Sequence, residues 1–231
     1  PAGAPSAAAA ALRYCCIALL LHCAAAALRC CCIALLPESE GVRRVRCDAG
    51  AVRQDGKSAS MTAPNGQTQR LMIRAAIHDA GIGVDGLALV EAAANGSPLG
   101  DPIEVSALAA TLDCRALLVA NGKGSIAHSA PSSGASGLAL LGIKLMCIQE
   151  SANAQLRVLN PMVGPAIART GHGWLLPTQL NRLEPGEAGL VGGVSSFGYS
   201  GTIAHAVLGL TLSDVSNEAS RSFRLPLEYR R

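Results

Sequence analysis

Nine cysteines and five histidines are the side chains of this 231-residue chain that could serve as nucleophiles, proton carriers or metal ligands. Six of the cysteines lie in the first 32 residues, several of them adjacent, and no C-x-x-C pair is present that could bind a metal. The other three, Cys47, Cys114 and Cys147, stand alone in apolar surroundings, which predicts buried free thiols in a reducing compartment. We therefore expect no metal site and no disulfide framework.

The remaining candidates do not assign a reaction by themselves. No G-x-S-x-G segment marks a serine nucleophile on a sharp turn. His22, His78 and His172 occur in no motif, and His205 is expected to be structural. His128 ends the polar segment NGKGSIAH, and a lone histidine of this kind is more often structural than catalytic.

Composition narrows the class of protein. Half of the residues are hydrophobic but only 3% are aromatic, which favours a tightly packed α/β or α-rich protein. Such a chain has little of the aromatic surface on which nucleic-acid readers stack bases. The net charge of +3 comes from scattered basic residues, so we expect no nucleic-acid partner.

The first 41 residues differ from the rest and predict a separate low-complexity extension rich in Ala, Cys and Leu. Two near copies, ALRYCCIALL and ALRCCCIALL, lie sixteen residues apart. Charged and polar residues interrupt the apolar stretches before they reach the ~20 residues that cross a membrane. We expect a cytoplasmic protein, with a plastid location or a membrane association through residues 7–36 as alternatives. Residues 42–212 are predicted to form the globular part, and residues 213–231 a tail.

Alternating strand and helix patterns in the globular part predict an α/β layered fold. A helix over 69–80 would bury Leu71, Met72 and Ala76 and end at Gly81. Asp101, Pro102 and Glu104 predict a D-x-x-E capping box at the start of a second helix, 101–112. A third helix is expected over 134–149. Extended segments are expected at 45–52, 84–90, 115–120, 156–159, 190–194 and 202–212.

Five blocks of this part, in order, resemble the second half of a β-ketoacyl synthase, specifically the ketosynthase domain of modular type I polyketide synthases. They are AVRQDGKSASMTAPNGQTQ (Ala51–Gln69), VEAAANGSPLGDPIEVSAL (Val90–Leu108), NGKGSIAHSAPSSGASGL (Asn121–Leu138), VLNP (Val158–Pro161) and GVSSFGYSGTIAHAVL (Gly193–Leu208). The family's corresponding segments include V-E-A-H-G-T-G-T-P-L-G-D-P-I-E and G-V-S-S-F-G-F-G-G-T-N-A-H.

The resemblance implies a thiolase-like fold and a decarboxylative Claisen condensation. In that reaction an acyl group is held on a cysteine, and malonyl on an acyl carrier protein is decarboxylated to attack it. Two imidazoles hydrogen-bond the thioester carbonyl, and backbone N–H groups form an oxyanion hole. The implied partners are an acyl carrier protein and a second ketosynthase chain in a homo- or heterodimer. No cofactor is implied beyond the carrier's phosphopantetheine thioester, which is substrate.

Only some of the family's functional residues have a match in this sequence. His128 and Lys123 match the second catalytic histidine and the lysine of the family, whereas Ala93 takes the place of the first catalytic histidine. Ala127 replaces the glycine before His128, adding a Cβ where the backbone needs freedom, and Ala130 replaces a glutamate.

The last block implies a substrate-binding loop made of Gly198, Tyr199, Ser200, Gly201 and Thr202. Tyr199 stands where the family has a phenylalanine that gates the acyl pocket, and Ile203 replaces an asparagine that could tie the loop down.

The nucleophilic cysteine of the family belongs upstream, and no cysteine of this chain has the D-T-A-C-S-S context. We therefore expect a ketosynthase family member that is inactive as this chain. One alternative is a non-catalytic pseudo-ketosynthase subunit that binds an acyl carrier protein or a full-length partner. A third is an enzyme of altered chemistry, with Ser or water in place of the cysteine and His128 as base. A membrane-associated form anchored by residues 7–36 is compatible with the inactive family member and with the pseudo-ketosynthase subunit.

Overall fold

The computed structural model describes residues 44–58, 63–112, 117–128, 132–153, 156–169, 173–185 and 189–211. The predicted extension over residues 1–41 and the tail over 213–231 lie outside these ranges, as do Cys114 and Ala130.

The described residues form strands and helices that alternate along the chain. The strands are β1 (Arg44–Gln54), β2 (Leu89–Glu91), β3 (Leu118–Ala120), β4 (Gln149–Glu150), β5 (Asn181–Arg182), β6 (Leu190–Phe197) and β7 (Thr202–Thr211). The helices are α1 (Gly66–Asp79), α2 (Gly100–Ala109), α3 (Lys123–Ile126), α4 (Ser133–Cys147) and α5 (Val163–Ala168).

Five strands make one mixed sheet in the order β1-β7-β6-β2-β3. The strand β7 is antiparallel to both β1 and β6, whereas β2 runs parallel to both β6 and β3. The strand β6 lies in the middle, and every residue from Leu190 to Ser196 is buried, as expected for a strand covered on both faces. The strands β4 and β5 form a separate two-stranded ribbon.

Helices cover both faces of the sheet, which gives three layers. On one face Met72 and Ile73 of α1 and Leu108 of α2 pack with Val207 of β7. On the other face α4 packs against β6 and β7, with Leu141 in the second core. Consecutive strand residues point to opposite faces, so both apolar cores come from the same short strands.

Two glycines allow α4 to lie close to the sheet. A Cβ at Gly192 of β6 would come within 2.7 Å of Leu141 Cδ1, and a Cβ at Gly137 of α4 within 3.2 Å of Val194 Cγ2. Larger residues at these positions would push the helix outward, away from β6.

The main helices and most strands agree with the sequence expectations, and Gly81 terminates α1 as predicted, directly after the C-cap Ala80 and with φ at +68°. The buried face of α1 was wrong in part, because Leu71 is 52% exposed while Ile73 and Ile77 are buried. The helix also begins three residues earlier than expected, since the side chain of Asn65 accepts hydrogen bonds from the N–H groups of Gln67 and Thr68.

Other expectations were wrong or incomplete. The segment 156–159 forms no strand, and Val158 is 87% exposed. The expected strand over 84–90 contracts to β2, with Val84 exposed. The helix α5 and the ribbon β4–β5 were not predicted, because elements of two to six residues are too short to show a period. Cys47 is a buried thiol as predicted, whereas Cys147 is only half-buried.

Candidate active site

The three parallel strands β6, β2 and β3 end at the same edge of the sheet, and the candidate site lies beyond that edge. The loop after β2 carries Ala93, the segment after β3 carries Lys123 and His128, and the turn after β6 carries Tyr199. Ligands of open α/β sheets bind at the carboxyl ends of the strands, so the topology predicts a binding site at this edge.

Two carboxylates of α2 hold the loop after β2. Glu104 accepts hydrogen bonds from the N–H groups of Ala93 at 2.7 Å and Ala94 at 2.8 Å. Asp101 accepts from the N–H groups of Gly96 at 3.1 Å and Ser97 at 3.3 Å. The loop that presents position 93 is therefore fixed by the helix behind it.

This arrangement shows that the expected capping box was wrong. The N-cap of α2 is Leu99, with helical dihedrals and no side-chain cap, so Asp101 and Glu104 already lie inside the helix. Helical side chains lean toward the N-terminus, and both carboxylates therefore reach back to the preceding loop. Ser97 Oγ, and neither carboxylate, accepts from the first helical N–H, that of Gly100, at 3.0 Å.

Burial dominates the electrostatics of these carboxylates. Desolvation raises the pKa of Glu104 to about 7, although the two backbone N–H groups and the charge of Lys123 act to lower it. Burial also raises the pKa of Asp101, against the opposing effect of its backbone hydrogen bonds. Glu104 is thus a carboxyl group whose protonation changes near neutral pH while it holds the backbone at Ala93.

Lys123 lies at the first residue of α3 and reaches back toward the same loop. Its Nζ is 3.4 Å from the carbonyl oxygen of Ala92, and the neighbouring Asn121 donates from Nδ2 to the carbonyl oxygen of Ala94 at 2.7 Å. Burial lowers the pKa of Lys123, and the negative charges of Glu104, Glu91 and Asp101 oppose that shift.

His128 follows α3 in an exposed position, directly after a residue with an unusual backbone. Ala127 has φ +66° and ψ 164°, a region that residues with a Cβ rarely adopt. The expectation that the alanine is unfavourable where the family has glycine agrees with this conformation. The direction of the chain at His128 therefore depends on a strained residue.

A buried ion-pair network supports the turn that leads into α3. Glu91 Oε1 accepts from the N–H of Gly122 and Glu91 Oε2 from Lys144 Nζ, both at 2.5 Å. Lys144 also lies 3.0 Å from Glu150 Oε2. This network was not predicted, although the lysine within the apolar segment of α4 was a signal, because buried lysines are almost always paired.

The turn between β6 and β7 is tied to the end of β1. Gln54 donates from Nε2 to the carbonyl oxygen of Ser200 at 2.9 Å, and Thr202 Oγ1 donates to Gln54 Oε1 at 3.4 Å. The N–H of Asp55 donates to the carbonyl oxygen of Gly201 at 2.6 Å. Ile203, at the position where an asparagine was expected to tie the loop down, is buried in the core. The loop is held from the side of β1 by Gln54.

A cavity of about 1030 Å³ unites most of the residues singled out in the sequence. Ala93, Lys123 and His128 line it together with the loop residues Gly198, Tyr199, Ser200 and Gly201, whereas Thr202 is not part of the lining. Tyr199 is 74% exposed at its rim. The topology thus brings these positions together, and their catalytic and binding roles stay predictions.

His205 lies in the core and does not line this cavity. Its Nδ1 is 3.0 Å from Ser195 Oγ on the neighbouring strand, and burial lowers its pKa to about 4. This environment fits the structural role expected for it.

Within the part of the chain that the structure describes, no helix has the length and apolar character needed to span a bilayer.

The family comparison matches this architecture. Residues 46–155 match the family described as beta-ketoacyl synthase, C-terminal domain. Polyketide synthase GfsE of Streptomyces halstedii is 37% identical over 163 residues, which are 68% of this chain and 4% of that protein. Erythronolide synthase EryA2 of Saccharopolyspora erythraea is 33% identical over 189 residues, 78% of this chain and 5% of that protein.

Solved ketosynthases share the fold. The ketosynthase from module 6 of the bacillaene synthase of Bacillus subtilis superposes with a TM-score of 0.61 at 25% identity, covering 70% of this chain and 29% of that one. The oxazolomycin ketosynthase domain OzmH KS7 of Streptomyces albus gives a TM-score of 0.67 at 22% identity, covering 76% and 32%.

The chain therefore spans about a twentieth of these curated relatives and about a third of each solved ketosynthase. The chain belongs to the β-ketoacyl synthase family, as a C-terminal ketosynthase domain of the type I polyketide synthase kind with a thiolase-like α/β fold.

Proposed function

We propose that this domain binds the thioester of an acyl carrier protein in the 1030 Å³ cavity but is defective in decarboxylative condensation. The single observation that carries the proposal is the methyl group of Ala93, on a loop that is otherwise held firmly at the cavity. The binding surface is retained, and a group needed for the reaction is missing from it.

The defect follows from what the reaction demands. In the family's reaction two imidazoles donate hydrogen bonds to the thioester carbonyl as enolate charge develops on its oxygen. His128 can supply one of them at the rim of the cavity, whereas a methyl group at position 93 neither donates a hydrogen bond nor carries a proton. Loss of one such donor typically lowers a rate by about 10²–10³-fold.

Binding of the thioester has separate support. The loop Gly198–Gly201 keeps a defined turn, with the N–H of Gly198 bonded to the carbonyl of Thr202 at 2.7 Å and that of Gly201 to the carbonyl of Gly198 at 3.0 Å. Gln54 holds this turn against β1. A carrier-bound phosphopantetheine arm would pass between this turn and the loop that carries Ala93, since both line the cavity.

A second role, that of a non-catalytic subunit for a full-length ketosynthase, is favoured by the exposed apolar side chains of the domain. Val158, Met162 and Leu180 are 87%, 65% and 66% exposed. Exposed apolar side chains of this kind can contribute to contacts with a protein partner. Co-elution of the chain with a full-length ketosynthase, lost in a Val158→Ser, Met162→Ser double variant, would support this role.

Binding and decarboxylation should be measured on the same full chain. Malonyl carrier protein is titrated against the wild type and against Gln54→Ala, which frees the turn, with the surface variant Val158→Ser as control. We expect saturable binding to wild type and to Val158→Ser, weaker binding to Gln54→Ala, and no carbon dioxide release above background. Absence of binding to wild type, or wild-type decarboxylation at an enzymatic rate, would contradict the proposal.

A further inference from the structure

The chain contains three lysines, Lys57, Lys123 and Lys144, and their environments differ sharply. Lys57 is exposed on the surface. Lys144 is buried and lies within 3.0 Å of two carboxylates, those of Glu91 and Glu150. Lys123 is half-buried and lines the cavity. The three residues therefore form a natural series for comparing amine reactivity within one molecule.

Lys123 is weakly engaged by its surroundings. Its Nζ makes one long hydrogen bond, 3.4 Å to the carbonyl oxygen of Ala92. Among the described residues no carboxylate lies within ion-pair distance of it, and both oxygens of Glu104 are taken by the N–H groups of Ala93 and Ala94. The charges of Glu104, Glu91 and Asp101 favour the ammonium form of Lys123 without an ion-pair contact, whereas Glu91 and Glu150 contact Lys144 directly.

We propose that Lys123 is an acyl acceptor, and that a thioester bound in the cavity transfers its acyl group to the Nζ of this residue. The proposal rests on the proposed function only for the source of the thioester. Lys123 lines the same cavity as Ala93 and the turn Gly198–Gly201, where the proposed function puts the thioester.

The step is balanced without any further reactant. The lone pair of the neutral amine attacks the thioester carbonyl carbon, and the carbon–sulfur bond breaks with its electrons going to sulfur. The thiolate takes the proton released by the nitrogen, so the products are an amide on Lys123 and a free thiol. Burial, which lowers the pKa of Lys123, increases the fraction of amine in the reactive neutral form.

The product would alter the electrostatics of the site. An amide carries no charge, so acylation removes the positive charge that acts to lower the pKa of Glu104 and of Asp101. The acylated lysine would also persist, because its amide bond is far less reactive than a thioester. Lys123 would thus record exposure of the cavity to acyl thioesters.

The test uses the folded full chain with the acetyl thioester of N-acetylcysteamine as the probe, at about pH 8, and mass spectrometry after cleavage at acidic residues. We expect acetylation of Lys123 about tenfold faster than that of Lys57, and none of Lys144. In urea the three lysines should become equally reactive, and a Lys123→Arg variant should lose the fast reaction while Lys57 is unchanged.

Several results separate this inference from the proposed function. Equal or faster acetylation of Lys57 in the folded chain would overturn the inference, whether or not carrier protein binds. Fast acetylation of Lys123 by the small thioester in a chain that does not bind malonyl carrier protein would overturn the proposed function and leave the acceptor role standing.

Discussion

A glycine in place of Ala127 is expected to stabilise the domain, although the same exchange in a helix destabilises it. Ala127 has φ +66° and ψ 164°, and holding a residue with a Cβ in such a region costs about 1–3 kcal/mol. Ala127 is exposed, so removing its methyl group sacrifices little burial. Glycine also lowers the stability by about 0.5–1 kcal/mol, because it increases the entropy of the unfolded chain. The net gain is about 1 kcal/mol, or roughly 2–4 °C in Tm.

Urea unfolding of wild type, Ala127→Gly and Ala139→Gly measures this difference. Ala139 is an exposed residue in the interior of α4, where glycine should lower the free energy of unfolding by about 1 kcal/mol. The same substitution is thus predicted to raise the free energy of unfolding at position 127 and to lower it at position 139. If Ala127→Gly loses as much stability as Ala139→Gly at an unchanged m value, the backbone before His128 is not strained and the reasoning fails.

Three further predictions concern buried polar groups and are tested by the same unfolding assay. Glu104→Ala leaves the N–H groups of Ala93 and Ala94 without acceptors and should lower the free energy of unfolding by about 2–4 kcal/mol. If Glu104 only capped the helix, the loss would be ~1 kcal/mol. His205 has a folded pKa of about 4 against 6.5 unfolded, so the unfolded state binds the proton first as the pH falls. Relative to His205→Gln, wild type should lose about 3 kcal/mol between pH 6.5 and about 4, and a flat difference would contradict the burial argument. Lys144→Met leaves two buried carboxylates without their cation and should destabilise by about 3–5 kcal/mol; a neutral effect would show that the network is not needed for folding.

The elements of the fold were largely predictable because their signals are local. The apolar runs of β6 and β7 bury both faces of the strands, and such runs are visible in the sequence. The start of α1 was placed too late because the capping role of Asn65 was not recognised in the sequence. The face of α1 was misjudged for a different reason: Ile73 and Ile77 form a row that competes with Leu71, and only packing against the sheet decides between them.

The site was predictable where it depends on position along the chain and not where it depends on contacts between distant residues. The resemblance identified Ala93, Lys123 and His128 as site positions, and the parallel strands place all three at one cavity. The carboxylate of Glu104 was assigned to a helix cap, because the sequence spacing cannot show that the helix begins at Gly100 and directs this side chain backward.

The contacts that no local pattern indicates are the ones that support the site from behind. Glu91 and Lys144 are 53 positions apart, and Gln54 and Ser200 are 146 positions apart. A buried lysine demands a carboxylate partner, but the sequence does not say which one. The topology of the sheet supplies that information by placing α4 behind the end of β2.

The proposed function makes the cavity a thioester site of the ketosynthase kind, with a methyl group where an imidazole is required. It is tested most directly by the rate at which the full chain decarboxylates malonyl carrier protein, compared among wild type, Ala93→His and Ala94→His. We predict a rate increase of about 10²-fold in Ala93→His and none in Ala94→His, since only the first places a hydrogen-bond donor at the matching position. Equal rates in wild type and Ala93→His, or equal gains in both variants, would contradict the claim.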